Sequence, residues 1–146
     1  MKNTSNDLRE LIRTLVRGLG ILEKSEASCC GVSLSQCHCI VEIGRKGETS
    51  LNELASILNL NKSTMSRTIN NLVKQDLVER KTNPEDRRYM RITLTDNGNK
   101  IYTEIEENMT LYFEKVLDDI PGNKRYQVME SVQLLLEAIE KNECCK

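Results

Sequence analysis

Apolar and polar positions along the chain fall into helical and strand-like periods. Leu8, Leu11, Ile12, Leu15, Val16, Leu19 and Leu22 recur at spacings of three and four, which predicts a helix over 8–24 with one apolar stripe. Gly18 and Gly20 lie inside it, without the third glycine of a dinucleotide-binding turn. A loop is expected over 29–33. Ser33 and Gln36 stand at capping-box spacing and open a helix over 34–44. Leu34, Cys37 and Val41 line one side of it, and Cys39 and Ile43 line the other. Apolar residues on both sides predict an internal helix. Gly44 and Gly47 are expected to end it.

Ser50 and Glu53 form a second capping box and open a short helix over 51–58, with Leu51, Leu54, Ala55 and Leu58 inward. A turn over 59–62 leads to a helix over 63–75 that buries Met65, Ile69, Leu72 and Val73. Two strand-like runs, 77–82 and 89–95, flank the polar segment Asn83-Pro84-Glu85-Asp86-Arg87-Arg88, as in a hairpin with a charged tip. A long helix follows from Thr95-Asp96 to Asp118, with Ile101, Ile105, Met109, Tyr112, Phe113, Val116 and Leu117 on its apolar side. Pro121-Gly122 breaks it. A last helix over 124–142 presents Val128, Met129, Val132, Leu135, Leu136 and Ile139.

Two short helices joined by a tight turn and followed by a hairpin predict a mainly α fold with a small β-hairpin wing, a winged helix-turn-helix. The reading is a single domain over 1–146. Its DNA-binding core is 34–95, and 1–30 and 96–146 are dimerisation helices. Those terminal helices are too apolar to stay bare and are best buried against a second copy. A homodimer also sets two recognition helices about one duplex turn apart.

The chain has 146 residues, 38% of them apolar, and a formal net charge of -1. No run approaches the roughly 18 apolar residues of a membrane span, and the first residues lack a hydrophobic signal segment. A cytoplasmic protein with no membrane partner is expected. A net charge near zero argues against nucleic acid until the chain is divided. Residues 60–95 carry eight basic side chains (Lys62, Arg67, Lys74, Arg80, Lys81, Arg87, Arg88, Arg91) and four acidic ones, a net of +4. Residues 96–146 carry six basic and eleven acidic, a net of -5. The positive charge coincides with the expected recognition helix and wing, as a phosphate-contacting surface requires.

Ser63, Thr64, Ser66, Arg67, Asn70, Asn71 and Lys74 project from the polar side of that helix. Short polar side chains approach phosphates and base edges closely, and Arg67 can reach guanine edges or a phosphate. At the wing tip, Arg87 or Arg88 can enter the minor groove, where negative potential is focused, while Asp86 steadies the other arginine through a charge-assisted pair. The partner is therefore double-stranded DNA.

These features resemble the MarR family of bacterial transcriptional regulators. The resemblance is carried by residues 51–98, from "LNELASILNL" through "DLVER" at 76–80 and Asp86-Arg87-Arg88 to "LTDNG" at 94–98. Asp76 stands where the family usually has glycine. Asp tolerates unusual backbone angles better than most residues. The resemblance implies an obligate homodimer, a palindromic operator, recognition helices in major grooves and wing arginines in minor grooves. It also implies repression relieved by a small molecule, metal or oxidant.

Six cysteines fall in three close pairs: Cys29–Cys30, Cys37–Cys39 and Cys144–Cys145. A disulfide framework suits small secreted chains and does not fit here. Cys37 reads as a core residue. Cys39, on the other side of its helix, is a candidate for an effector pocket. Cys29, Cys30, Cys144 and Cys145 could form a thiol-rich site for arsenite, another soft metal ion or an oxidant. The alternative is an organic, drug-like effector with incidental thiols. No cofactor is otherwise implied. Catalysis is disfavoured, because there is one histidine and no metalloprotease, P-loop or serine-elbow motif. A winged helix that binds only protein is the remaining alternative.

Overall fold

The computed structural model describes residues 2–30, 32–82, 84–85 and 90–142. The element order is α1 (Lys2–Cys30), α2 (Leu34–Lys46), α3 (Leu51–Ile57), α4 (Lys62–Lys74), β1 (Val78–Thr82), β2 (Met90–Leu94), α5 (Asp96–Asp118), a 3-10 turn (Gly122–Lys124) and α6 (Arg125–Lys141). It is the expected mainly α fold with, among the described residues, one antiparallel hairpin. The chain divides into two compact units, 1–108 and 109–146. Among the described residues no helix is long and apolar enough to cross a membrane.

The first unit holds the core. Ile40, Ile43, Leu54, Met65, Ile69, Leu72, Ile92 and Ile105 are all buried. They come from α2, α3, α4, β2 and α5, so the core draws on the helix-turn-helix, the middle of β2 and the first half of α5. Truncating any one of these to alanine would cost about 2–5 kcal/mol. The α2 capping box forms as its spacing predicts. Gln36 N donates to Ser33 Oγ (3.3 Å), and Ser33 N donates to Gln36 Oε1 (3.0 Å). Ser50 Oγ caps α3 by accepting from Glu53 N at 3.2 Å.

Two helices, α1 and α2, differ from expectation by more than one residue. Helix α1 runs to Cys30, so Cys29 and Cys30 close a helix rather than sit in a loop. Apolar spacing marks only the stripe of a helix, and the polar residues Glu23, Lys24 and Glu26 extend it without extending the stripe. Helix α2 passes through Gly44 and ends at Gly47, whose φ of 79° lies in the left-handed region open to glycine. Gly44 serves packing instead. A Cβ there would lie 2.5–2.6 Å from the Tyr102 ring, so its absence lets α5 approach α2. Arg45 and Glu106 pair across the same two helices at 3.6 Å.

The hairpin pairs Val78 with Leu94 through Thr82 with Met90. It is also tied to the segment before α3. Thr49 N donates to Ile92 O (3.1 Å) and Ile92 N to Thr49 O (2.8 Å). Beside this bridge Arg91 pairs with Glu48 at 3.5 Å.

In the second unit, α6 has no buried residue. Tyr126, Met129, Val132, Leu134, Leu136 and Ile139 are exposed, Tyr126 to 79%. In the first unit Leu8, Leu11, Leu15, Val16 and Leu19 of α1 are likewise exposed. Both terminal helices thus carry unpartnered apolar surface, of the kind that marks an association site.

Candidate nucleic-acid interface

The helix-turn-helix is set by two non-glycine residues in left-handed conformations. Asn59, with φ 54°, follows α3. Leu60 N bonds back to Ala55 O at 2.9 Å and Asn59 N to Ser56 O at 3.3 Å, the paired closure of a Schellman motif. Asn61 then caps α4. Its Oδ1 accepts from Thr64 N (2.8 Å) and from the Ser63 hydroxyl (3.0 Å). The cap role of Asn61 is missed by a reading that treats 59–62 as a turn. Its signal is an Asn directly before a polar-apolar helical period.

Helix α4 buries Met65, Ile69 and Leu72 and turns its other side outward. Of the residues expected on the recognition face, Ser63, Arg67, Asn71 and Lys74 are exposed, and Thr64, Ser66 and Asn70 are half-buried. With Leu51, Ile69, Arg80, Met90 and Ile92, Ser66 lines a small crevice of about 80 Å³ between α3, α4 and the hairpin. The exposed four form one polar face, with Arg67 and Lys74 as its cations. Lys62 at the first turn and Arg80 and Lys81 on β1 are also exposed.

Helix α4 ends on a second Schellman motif. Leu77 N bonds to Leu72 O (3.0 Å) and Asp76 N to Val73 O (3.1 Å). Asp76 holds the left-handed position with φ 60°, where glycine is the usual occupant. The wing tip residues Asp86, Arg87 and Arg88 lie outside the described residues. So do Cys144 and Cys145, and Cys29 and Cys30 are described by backbone alone.

The two cysteines of α2 are core residues. Cys37 is 2% exposed and Cys39 fully buried. Burial pushes the Cys39 thiol from its ordinary 9.0 up to about 12, so thiolate is scarce there at neutral pH and nucleophilic redox chemistry is suppressed. The Cys39 thiol lies in the core rather than on an accessible face, as does that of Cys37. The unfolded chain releases this proton first, so its stabilising contribution is complete below pH 9.0 and is lost as the pH rises toward about 12. Denaturation midpoints followed across that window should fall less steeply for Cys39→Ala than for the wild type. Identical slopes would refute this assignment. Among the described residues no group of three or more His, Cys, Asp or Glu could hold a metal ion.

A helical pair joined by a tight turn, its second helix bare on one polar and cationic side, with a hairpin packed beside it, defines a winged helix-turn-helix protein. Comparison with known proteins agrees. The MarR family profile matches residues 32–90. The HTH-type transcriptional regulator BilQ of Clostridium symbiosum is 27% identical over 123 residues, covering 84% of this chain and 85% of BilQ. Among solved structures, Streptococcus pneumoniae FabT in complex with DNA superposes with a TM-score of 0.85 at 19% identity, over 93% of this chain and 97% of FabT. A MarR transcriptional regulator from Methanosarcina mazei Go1 gives 0.77 at 22% identity, over 92% and 96%. Over residues 32–90, its winged helix-turn-helix core, the chain matches the MarR family.

Proposed function

We propose that this protein is a homodimeric, sequence-specific DNA-binding regulator of transcription, acting as a repressor that an effector releases. The observation that carries the DNA reading is the α4 face: Ser63, Arg67, Asn71 and Lys74 are exposed together on a helix whose opposite side is locked into the core. Recognition by such a face needs side chains that reach bases while the backbone behind them stays fixed. The net charge of +4 over residues 60–95 supports this reading, since a phosphate-contacting segment needs an excess of cations. FabT, of the same fold, was solved in complex with DNA. The reading extends to the wing: Arg87 or Arg88 would enter the flanking minor groove, with Asp86 steadying the other arginine. The bare apolar stripes of α1 and α6 supply the surface for a second copy.

Mobility shifts on DNA upstream of the protein's own gene test this. Binding should weaken steeply with salt, and Arg67→Ala should weaken it by about tenfold or more if the guanidinium makes a bidentate base contact. Absence of binding to any genomic fragment, or binding indifferent to salt, would favour a winged helix devoted to protein contacts.

Because Cys37 and Cys39 are core residues, a thiol-borne effector response falls to Cys29, Cys30, Cys144 and Cys145. Arsenite, another soft metal ion or an oxidant is the matching chemistry. Titration of the reduced, DNA-bound protein with arsenite, Zn²⁺, Cd²⁺ and peroxide tests that reading. Release lost on replacing these four cysteines by serine supports it. Release by none of them leaves the effector to an organic small molecule.

A further inference from the structure

The end of the recognition helix is fastened to the start of α5 by side chains as well as backbone. Asn97 Nδ2 donates to Asp76 Oδ2 at 2.9 Å. The Thr95 hydroxyl donates to Asp76 O at 2.6 Å and accepts from Gly98 N at 3.0 Å. Thr95 N donates to Leu77 O at 3.1 Å. Asp76 is thus held from both its carboxylate and its carbonyl by the first turn of α5. Its left-handed φ of 60° disfavours most side chains, and glycine would satisfy the backbone with less strain. An aspartate at this position is an expense that the turn alone does not explain. What it adds is the bond to Asn97.

We propose that Asp76 and Asn97 form a clasp that sets the orientation of the recognition helix, so that Asp76 is a positioning residue for DNA binding. The inference rests on the DNA-binding reading of α4. A clasp and a mere turn residue make opposite forecasts. If Asp76 only fills the turn, Asp76→Gly relieves strain, removes a negative charge near phosphates, and leaves DNA binding equal or tighter. If it is a clasp, the same substitution frees the C-terminal end of α4, and DNA affinity falls although the fold is at least as stable. Asp76→Asn separates charge from hydrogen bonding. Its side-chain oxygen can accept from Asn97, and Asn tolerates the left-handed conformation.

The test uses the full-length protein and a duplex recovered by selecting random-sequence DNA against the wild type. Asp76→Gly and Asn97→Ala should each weaken binding by about threefold to tenfold, the worth of one hydrogen bond. The double variant should be no weaker than the weaker single one, and Asp76→Asn should bind at least as well as the wild type. Amide exchange measured without DNA should quicken over residues 75–77 and 97–99 in both Asp76→Gly and Asn97→Ala. Wild-type binding retained by Asp76→Gly overturns the proposal. If selection recovers no duplex, the DNA reading itself fails. Exchange then judges the clasp separately, and unchanged exchange in both variants overturns it.

Discussion

Gly98→Ala is expected to be among the most damaging single-methyl additions in this protein. A Cβ at Gly98 would run into the Leu77 carbonyl oxygen and come within 3.3 Å of Leu94 Cβ. That carbonyl cannot swing aside, because it accepts from Thr95 N and belongs to the residue that closes the end of α4. Relief requires α5 to lift away from the hairpin root, which breaks the Thr95 cap on Gly98 N. The cost should be about 3 kcal/mol, or about 10 °C in melting temperature for a domain of this size. Calorimetry on Gly98→Ala checks this, with Gly122→Ala as the control, since nothing lies within 4 Å of a Cβ at Gly122. A Gly98→Ala melt that overlays the wild type would show that the close approach is not needed.

The second large effect concerns assembly. Val132 and Leu136 are one helical turn apart on α6, and each is about half exposed in the single chain. Replacing both with glutamate therefore removes nothing from the described core, and the circular dichroism spectrum should be kept. Two carboxylates in an apolar contact would be desolvated without partners, so the proposed dimer should dissociate at concentrations where the wild type sediments as one. A monomer reads one half-site and loses the effective concentration that joins the two. DNA affinity should fall by about a hundredfold or more. A doubly substituted protein that still sediments as a dimer would place the interface elsewhere.

Much of the architecture is legible in the sequence because its signals are local. Ser33 with Gln36 and Ser50 with Glu53 name two helix starts, and both caps form. The inward residues of α4 follow from a 3.6-residue period. Where the reading fails, the deciding partner is distant in sequence. Gly44 looks like a helix stop until Tyr102, 58 positions later, is seen to need the space. Ser66 looks like any other residue of the polar face until the fold sets it in one crevice with Arg80 and Met90. Cys39 looks accessible because its helix has two apolar sides, and a sequence does not say that both are covered. Asp76 is intermediate: its departure from glycine is visible in the chain, but its bond to Asn97 appears only when α4 and α5 are brought together.

The bridge between Thr49 and Ile92 has a consequence for how this protein can change. A two-stranded hairpin is marginal by itself in water. Here the middle of β2 is sewn to the segment ahead of α3 by two backbone bonds, and Ile92 is sunk in the core. Backbone bonds do not depend on which side chains stand at the far end of the loop. The residues between β1 and β2 are therefore free to drift over evolutionary time without endangering the fold. A lineage could rewrite what its wing reads while leaving the platform that carries the wing untouched.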